Sequence, residues 1–121
     1  MSRTLDQERA AFAWKRTEGC DAEFGRRISG TPALIMQNGL MQALAYYKEK
    51  GHVRVWQPIA EWVAKSMQLE PPRGADPQNQ DELFCSLMKK LQDAEADQLL
   101  FATEEALAIA EWLRRWAKAR A

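Results

Sequence analysis

The longest run of apolar positions in the chain carries helix end signals on both sides. Thr31 is a favoured N-cap residue, Pro32 suits the first helical position because its missing N–H needs no partner there, and Gly51 is a common helix stop. Two neighbouring apolar stripes at helical spacing lie between these marks: Ala33, Met36, Leu40, Leu44 and Tyr47, and beside them Leu34, Met41 and Ala45. The pattern predicts a central buried helix at about residues 32–50. Gly39 in its middle costs about 1 kcal/mol relative to alanine, and we expect close approach of a neighbouring helix to compensate.

Upstream of this segment, the pattern predicts one long amphipathic helix. Thr4 opens it with a capping box, and apolar residues recur at spacings of three and four as far as Ser29. Gly19 and Gly25 weaken this helix by about 1 kcal/mol each and are the points where it could split. Ser29 and Gly30 then form a tight connection, which predicts that the first two helices pack antiparallel.

A third helix is predicted after a short link at residues 52–55. Pro58 falls in its first turn, where proline is tolerated. The apolar stripe of this helix consists of Trp56, Ile59, Val63 and Met67. Residues 70–78 follow, and their proline and glycine content predicts a surface loop.

Two more helices complete the pattern. The fourth begins at Asn79 or Asp81, and the last is capped by Thr103 after a short helical turn at residues 98–101. Their inward-facing residues are Phe84, Leu87, Met88 and Leu91 in the fourth, and Ala106, Ile109, Ala110, Leu113 and Trp116 in the last. No segment alternates convincingly with the period of a strand. The sequence therefore predicts an all-α fold, a compact bundle of five to six helices around the central helix.

Length and composition indicate one domain. A chain of 121 residues predicts a single helical domain over residues 1–121, with a core that needs neither disulfide nor metal. No apolar run approaches the roughly 18 residues that cross a bilayer, and the N-terminal segment is too polar for a signal peptide. Cys20 and Cys85 lie far apart, which is typical of free thiols in a reducing compartment. These features predict a cytoplasmic protein.

Charge is balanced overall but uneven along the chain. Seventeen basic and seventeen acidic residues cancel, yet residues 1–54 carry nine basic against six acidic side chains. Residues 70–111 hold three basic and ten acidic side chains, and four cations follow in residues 112–121. A net charge near zero argues against strong binding to nucleic acid by the isolated chain, because such binding needs clustered cations. It leaves open binding through one basic face.

The residues that carry most enzyme chemistry are scarce. His52 is the only histidine, and it follows a predicted helix end at an exposed position, so a histidine-dependent dyad is disfavoured. No spacing of His, Cys or carboxylates matches a metal site, and no glycine-rich loop suits a phosphate. We expect a protein that is not an enzyme and uses no metal or cofactor. A small enzyme dependent on His52 is the least favoured alternative.

Surface cations are the remaining candidates for function. One basic patch closes the predicted first helix, and a second lies at the far end of the predicted central helix. Two basic patches at opposite ends of an antiparallel helix pair would suit an elongated phosphate backbone, although a solvated helix face is the simpler explanation. The roles of Trp62 and Trp112, in the core or at a partner surface, stay open. The predicted nucleic-acid-binding residues are Arg9, Arg16, Arg26, Arg27, Lys48, Lys50 and Arg54.

Three stretches of the sequence carry a family resemblance. They are Pro32-x-Leu34-Ile35-x-Gln37-Asn38-Gly39-Leu40-x-Gln42-Ala43-Leu44-Ala45-Tyr46 in the central helix, Ala10-Ala11-Phe12-Ala13-Trp14 in the first, and Thr103-Glu104-Glu105-Ala106-Leu107 with Trp112-Leu113 in the last. Over essentially the whole chain, they resemble the small subunit of type III-B CRISPR effector complexes, the Cmr small-subunit family. The 70–78 loop has no counterpart in that pattern.

The resemblance implies a non-catalytic structural subunit of a ribonucleoprotein complex in antiviral defence. Family members stack in several copies beside the subunits that hold the guide RNA, and they contact neighbouring subunits, guide RNA and target RNA. The resemblance also implies that Asn38, Gly39 and Leu40 serve packing. We expect the acidic residues 70–111 of one copy to meet a basic patch of the next. The alternative is a helical protein–protein adaptor with no direct nucleic-acid contact.

Overall fold

The computed structural model describes residues 2–69 and 77–120, and within these ranges the chain forms six helices and no strand. They are α1 (Leu5–Arg16), α2 (Ala22–Asn38), α3 (Leu40–Glu49), α4 (Val53–Ser66), α5 (Pro77–Asp93) and α6 (Ala96–Arg120). The prediction of an all-α bundle with five to six helices is confirmed. Residues 70–76 of the predicted loop lie outside the described ranges, and α5 begins ahead of the predicted starts at Asn79 and Asp81.

The predicted helix over residues 32–50 is in fact two helices that meet at Gly39. The backbone of Gly39 has φ 88° and ψ 159°, a region essentially open only to glycine. Apart from Gly39 itself and its two chain neighbours, no residue has a heavy atom within 4 Å of a Cβ atom built on Gly39. Gly39 is therefore required by its backbone conformation, and the expected close approach of a neighbouring helix at this point is wrong.

The Thr31-Pro32 pair lies inside α2 and does not start a helix. The start is at Asp21, whose carboxylate accepts a hydrogen bond from the backbone N–H of Phe24 at 2.8 Å. The Thr31 hydroxyl donates back to the carbonyl of Arg27 at 2.9 Å, as threonine often does in a helix interior. The predicted connection at residues 29–30 is therefore wrong, because both residues are helical.

The first helix starts as predicted but ends early. The Gln7 N–H donates to Thr4 Oγ1 at 3.1 Å and the Thr4 N–H donates to Gln7 Oε1 at 2.8 Å, which confirms the capping box. The chain leaves the helix at Thr17 and turns through Gly19, one of the two predicted split points. The predicted single helix as far as Ser29 is thus α1 and the first half of α2.

Two later boundaries also differ from the prediction. α4 begins at Val53, so the predicted link at residues 52–55 is largely its first turn, and Pro58 lies further inside the helix. The predicted turn at residues 98–101 and the last helix are one helix, α6. Thr103 does not cap it, because its hydroxyl donates to the carbonyl of Leu99 at 2.8 Å.

The centre of the bundle is α6, which packs against α1, α2 and α4. The apolar stripes predicted for α4 and α6 face the core: Ile59, Ile109 and Leu113 are fully buried, while Met67 and Trp116 at the ends of the stripes are partly buried against it. The segment at residues 32–50 instead buries only one side, and Met36 on its other side is 74% exposed. The expectation that this segment forms the buried centre is therefore wrong.

Helix directions give the bundle two ends of different composition. α1 and α6 run parallel, because three side chains of α6 each bond to the residue of α1 that lies 106 positions earlier in the sequence. Trp112 donates to the Asp6 carboxylate, Trp116 to the Ala10 carbonyl and Arg120 to the Trp14 carbonyl. The basic C-terminal turns of α6 therefore lie beside the end of α1. The start of α6, with its acidic residues, lies at the opposite end of the bundle.

Candidate functional site

α2 and α3 form an antiparallel hairpin around Gly39, and this hairpin decides where the predicted cations lie. The Tyr47 hydroxyl is 2.9 Å from Thr31 Oγ1 and 3.5 Å from the carbonyl oxygen of Arg27. The end of α3 is therefore held beside the first half of α2. The two basic patches, predicted at opposite ends of a helix pair, lie instead at the same end. We call this end the hairpin base, defined by Arg26, Arg27, Lys48 and Lys50.

Arg54 joins α4 to the end of α1, close to the hairpin base. Its guanidinium donates to the carbonyl of Glu18 at 2.8 Å and more weakly to the carbonyls of Arg16 and Gly19. The Arg16 carbonyl belongs to the last turn of α1 and the other two follow just after it, so the positive charge of Arg54 lies at the negative end of the α1 dipole. Arg54 also lies 5.6 Å from the ring centroid of Phe24. Its charge is largely used within the fold.

Arg9 is part of a buried network between α1, α4 and α6. The Arg9 guanidinium donates to both carboxylate oxygens of Glu105, and the Trp62 indole donates to Glu105 Oε1 at 3.0 Å. Glu105 is only 5% exposed. Burial would raise the pKa of this carboxyl, but the hydrogen bonds from Arg9 and Trp62 and the Arg9 charge outweigh burial and hold the pKa below its ordinary value. Arg9 is thus a structural cation, away from the hairpin base.

Arg16 is also balanced within the fold. Its two terminal nitrogens each donate to one oxygen of the Glu61 carboxylate at 2.8 Å, a bidentate pair between α1 and α4. The guanidinium lies 4.5 Å above the centroid of the Phe12 ring. Bidentate pairing and stacking fix the Arg16 side chain in place, so its charge is less available to another molecule than the charge of an unpaired surface cation.

The hairpin base contains two cations with carboxylate partners. Arg27 pairs with Glu23 one turn earlier on α2. Lys48 pairs with Asp81 at 2.7 Å, which ties α3 to α5. The carboxylates of both pairs are exposed and the cations half-buried, so water screens each pair and the pair contributes little stability. Either cation can therefore exchange its partner for a phosphate at small cost.

Arg26 and Lys50 are the most available cations of the hairpin base. Both are exposed, and neither forms an ion pair with a residue in the described ranges. Two exposed cations that the prediction did not include lie towards the same end of the bundle: Lys15 near the end of α1 and Lys118 near the end of α6. Their proximity follows from the parallel packing of α1 and α6, which leaves no mark in the local sequence pattern.

A shallow cleft of about 160 Å³ lies between the starts of α2 and α4. Arg27, His52 and Arg54 line it together with the carboxylates of Asp21 and Glu23. Because charges of both signs face this cleft, a phosphate would gain little by entering it. An anionic strand would instead meet the exposed cations at the outer edge of the hairpin base.

The sequence left open the roles of Trp62 and Trp112, and the structure gives both indoles a partner within the fold. Trp62 is buried and donates to Glu105. Trp112 is half-buried and donates to the Asp6 carboxylate at 2.9 Å. Both indole N–H groups are therefore satisfied within the chain, as expected of tryptophan in a core or at its edge.

Two further properties of the described residues concern ions and membranes. No group of three or more His, Cys, Asp or Glu side chains among them could hold a metal ion. Over the same ranges, no helix combines the length and the apolar character needed to cross a membrane. Cys20 and Cys85 are both free thiols.

A family model described as CRISPR-associated protein (Cas_Cmr5) matches residues 5–120 of the chain. This range runs from the first residue of α1 to the last residue of α6 and includes the whole hairpin base. The match agrees with the resemblance carried by the three sequence stretches. Within the central stretch, Leu40 is buried as expected for packing, whereas Asn38 and Gly39 are exposed, so the packing role expected of those two is wrong.

Proposed function

Because the chain belongs to the Cas_Cmr5 family, whose members are the small subunits of type III-B CRISPR Cmr complexes, we propose that it is a non-catalytic subunit contacting guide and target RNA through its hairpin base. Its structural place in a Cmr complex with other subunits follows from the family. The RNA contact is our proposal, and so are the absence of catalysis, the stacking of copies and the cytoplasmic setting in antiviral defence.

The observation that carries the RNA contact is the convergence of the two basic patches at one end of the α2–α3 hairpin. Tyr47 holds the end of α3 against α2, and this contact places Lys50 at the same end of the hairpin as Arg26 and Arg27. Cations along one exposed edge can follow the phosphates of a strand without reading its sequence. A subunit that supports RNA of any guide sequence needs this kind of contact.

Stacking would make such a small patch effective. Two or three cations give an isolated chain an affinity of about 10⁻⁴ M or weaker at physiological salt, because each releases only one counterion. Copies held in a row present their patches at high effective concentration, so the individual contacts add up. A head-to-tail contact between two different surfaces generates such an open row.

We expect the double substitution Arg26→Glu/Lys50→Glu to weaken target-RNA binding by the assembled complex. The loss should be about tenfold at 0.15 M salt, and the slope of log K against log salt should fall by about 1 to 2, since two phosphate contacts disappear. The measurement is a filter-binding or fluorescence titration at several salt concentrations. Lys89→Glu/Lys90→Glu is the matched control, because it makes the same charge change on exposed residues of α5.

Equal losses of RNA affinity in the two double variants would mean that only the net charge of the chain matters. An unchanged affinity in Arg26→Glu/Lys50→Glu would show that the hairpin base does not contact RNA.

The adaptor alternative gains support from Arg9, Arg16 and Arg54, whose charges are all engaged within the fold. Ultraviolet crosslinking of the intact complex separates the two functions. RNA adducts on this chain are expected, and their absence would favour the adaptor.

A further inference from the structure

A groove of about 600 Å³ runs along α1 and the end of α4, outside the hairpin base. Its floor is aromatic, since the rings of Phe12 and Trp62 pack with their centroids 5.2 Å apart. Trp14, which is 46% exposed, also lines it. The cations on its rim are Arg3, Lys15, Arg16 and Lys65.

The rim of this groove carries an excess of positive charge. Arg16 is balanced by Glu61, and the only carboxylate among the residues that line the groove in the described structure is Glu8. The other three cations form no ion pair with any described residue: Arg3, Lys15 and Lys65. The groove therefore attracts an anionic surface.

The aromatic floor is poorly suited to stacking with RNA bases. The guanidinium of Arg16 lies over Phe12 at 4.5 Å, and that of Arg120 lies over Trp14 at 3.4 Å from the ring centroid. Trp62 is buried at 3% exposure. Single-strand binders use aromatic faces that are open to bases, and these faces are already covered. The groove fits the outside of a folded segment that is acidic and apolar.

The described part of the chain itself offers such a segment at the start of α6. Four exposed residues lie on one helical face, at spacings of three and four, and we call them the acidic knob: Asp97, Leu100, Phe101 and Glu104. Leu100 is 58% and Phe101 is 45% exposed, an adjacent apolar pair of the kind that marks a contact surface. Asp97 and Glu104 form no ion pair with a described residue.

We propose that the groove of one copy binds the acidic knob of the next copy in the complex. This contact rests on the proposed stacking and names its two surfaces. Asp97 and Glu104 would face the rim cations, while Leu100 and Phe101 would pack against the part of Trp14 that is exposed. Because the groove and the knob are different surfaces of one chain, each copy can use both at once, and the contact repeats. The hairpin base stays available for RNA.

The test counts copies of the chain in the purified complex by native mass spectrometry, over a series of salt concentrations. The groove variant is Arg3→Glu/Lys65→Glu, and the knob variant is Asp97→Lys/Glu104→Lys. Each should weaken the contact between copies by about tenfold or more, because like charges then face each other, and complexes should lose copies. A chain that carries all four substitutions restores opposite charges and should recover the wild-type copy number.

Lys89→Glu/Lys90→Glu is again the control and should keep all copies. Because a lysine at the start of α6 opposes the helix dipole, Leu100→Ser/Phe101→Ser provides a second knob variant that leaves charge unchanged and should also lose copies. Unchanged copy numbers in the groove variant, or no recovery in the fourfold variant, would overturn this contact. A wild-type complex with a single copy would instead refute the proposed stacking, and neither result depends on RNA crosslinks at the hairpin base.

Discussion

Arg9→Met is expected to destabilise the chain by about 3–5 kcal/mol at pH 7, the largest effect among the substitutions considered. Breaking one side of a buried ion pair leaves the other charge without a partner, and that penalty exceeds the lost attraction. Glu105 would keep only the hydrogen bond from Trp62 while remaining 5% exposed. Methionine retains most of the apolar stem of Arg9, so lost packing adds little. Urea denaturation followed by tryptophan fluorescence measures the change.

The pH dependence of this loss has a defined sign. In the wild type, the pKa of Glu105 lies below its ordinary value of 4.5, so this carboxylate contributes stability that is present above about pH 4.5 and is lost as pH falls through the folded-state pKa. Without Arg9, burial becomes the dominant influence and raises the pKa of Glu105 above its ordinary value. The variant then loses stability as pH rises through that raised pKa.

The difference in unfolding free energy between wild type and Arg9→Met should therefore be largest near pH 7 and should shrink towards pH 4. A difference that stays constant with pH would show that lost packing, and not the buried charge, explains the effect. Arg26→Met is the matched control, because Arg26 is exposed and forms no ion pair with a described residue. It should change stability by no more than about 0.5 kcal/mol at either pH.

Glu105→Gln separates the charge from the hydrogen bond to Trp62. The amide oxygen of glutamine can still accept from the indole, and Arg9 keeps partial access to water and to Asp6. We expect a smaller loss than for Arg9→Met, about 1.5–3 kcal/mol, as for a hydrogen bond to a charged group. A loss larger than that of Arg9→Met would contradict the view that the stranded carboxylate is the main cost.

These variants also indicate what the sequence could and could not predict. Periodicity identified the buried faces of α4 and α6, because the positions of Ile59, Ile109 and Leu113 follow from helix geometry alone. The sequence also identified the four cations of the hairpin base as candidate binding residues. The partners of these cations could not, because Arg9 and Glu105 are separated by most of the chain and meet only when α6 packs against α1.

The errors at helix boundaries have one physical cause. Thr31-Pro32 has the form of a helix start, and Gly39 has the form of a weak point within a helix. The structure reverses these roles, because Asp21 caps α2 and the hydroxyl of Thr31 is satisfied inside it by the carbonyl of Arg27. Local signals rank possible ends, but tertiary packing selects among them. Because the turn was predicted at residues 29–30 and lies at Gly39, the two basic patches were predicted at opposite ends of a helix pair and in fact lie at the same end.

Gly39→Ala tests the turn on which that convergence depends. At φ 88° and ψ 159° an alanine is strained, so we expect a loss of about 1–3 kcal/mol. The free space around the Cβ position excludes a clash with any residue beyond its chain neighbours, so the loss reports strain of the local backbone. The measurement is the free energy of unfolding in urea at pH 7.

Gly30→Ala is the matched control and should have the opposite sign. Gly30 lies inside α2, is exposed, and a Cβ atom there would also meet nothing within 4 Å beyond its chain neighbours and the nearby backbone of α2. Alanine should therefore stabilise the helix by about 0.5–1 kcal/mol through its higher helix propensity. If residues 29–30 were the connection and Gly39 lay within a helix, the two signs would be exchanged. The pair of measurements thus decides where the chain turns, and with it whether Arg26 and Lys50 share one end of the hairpin.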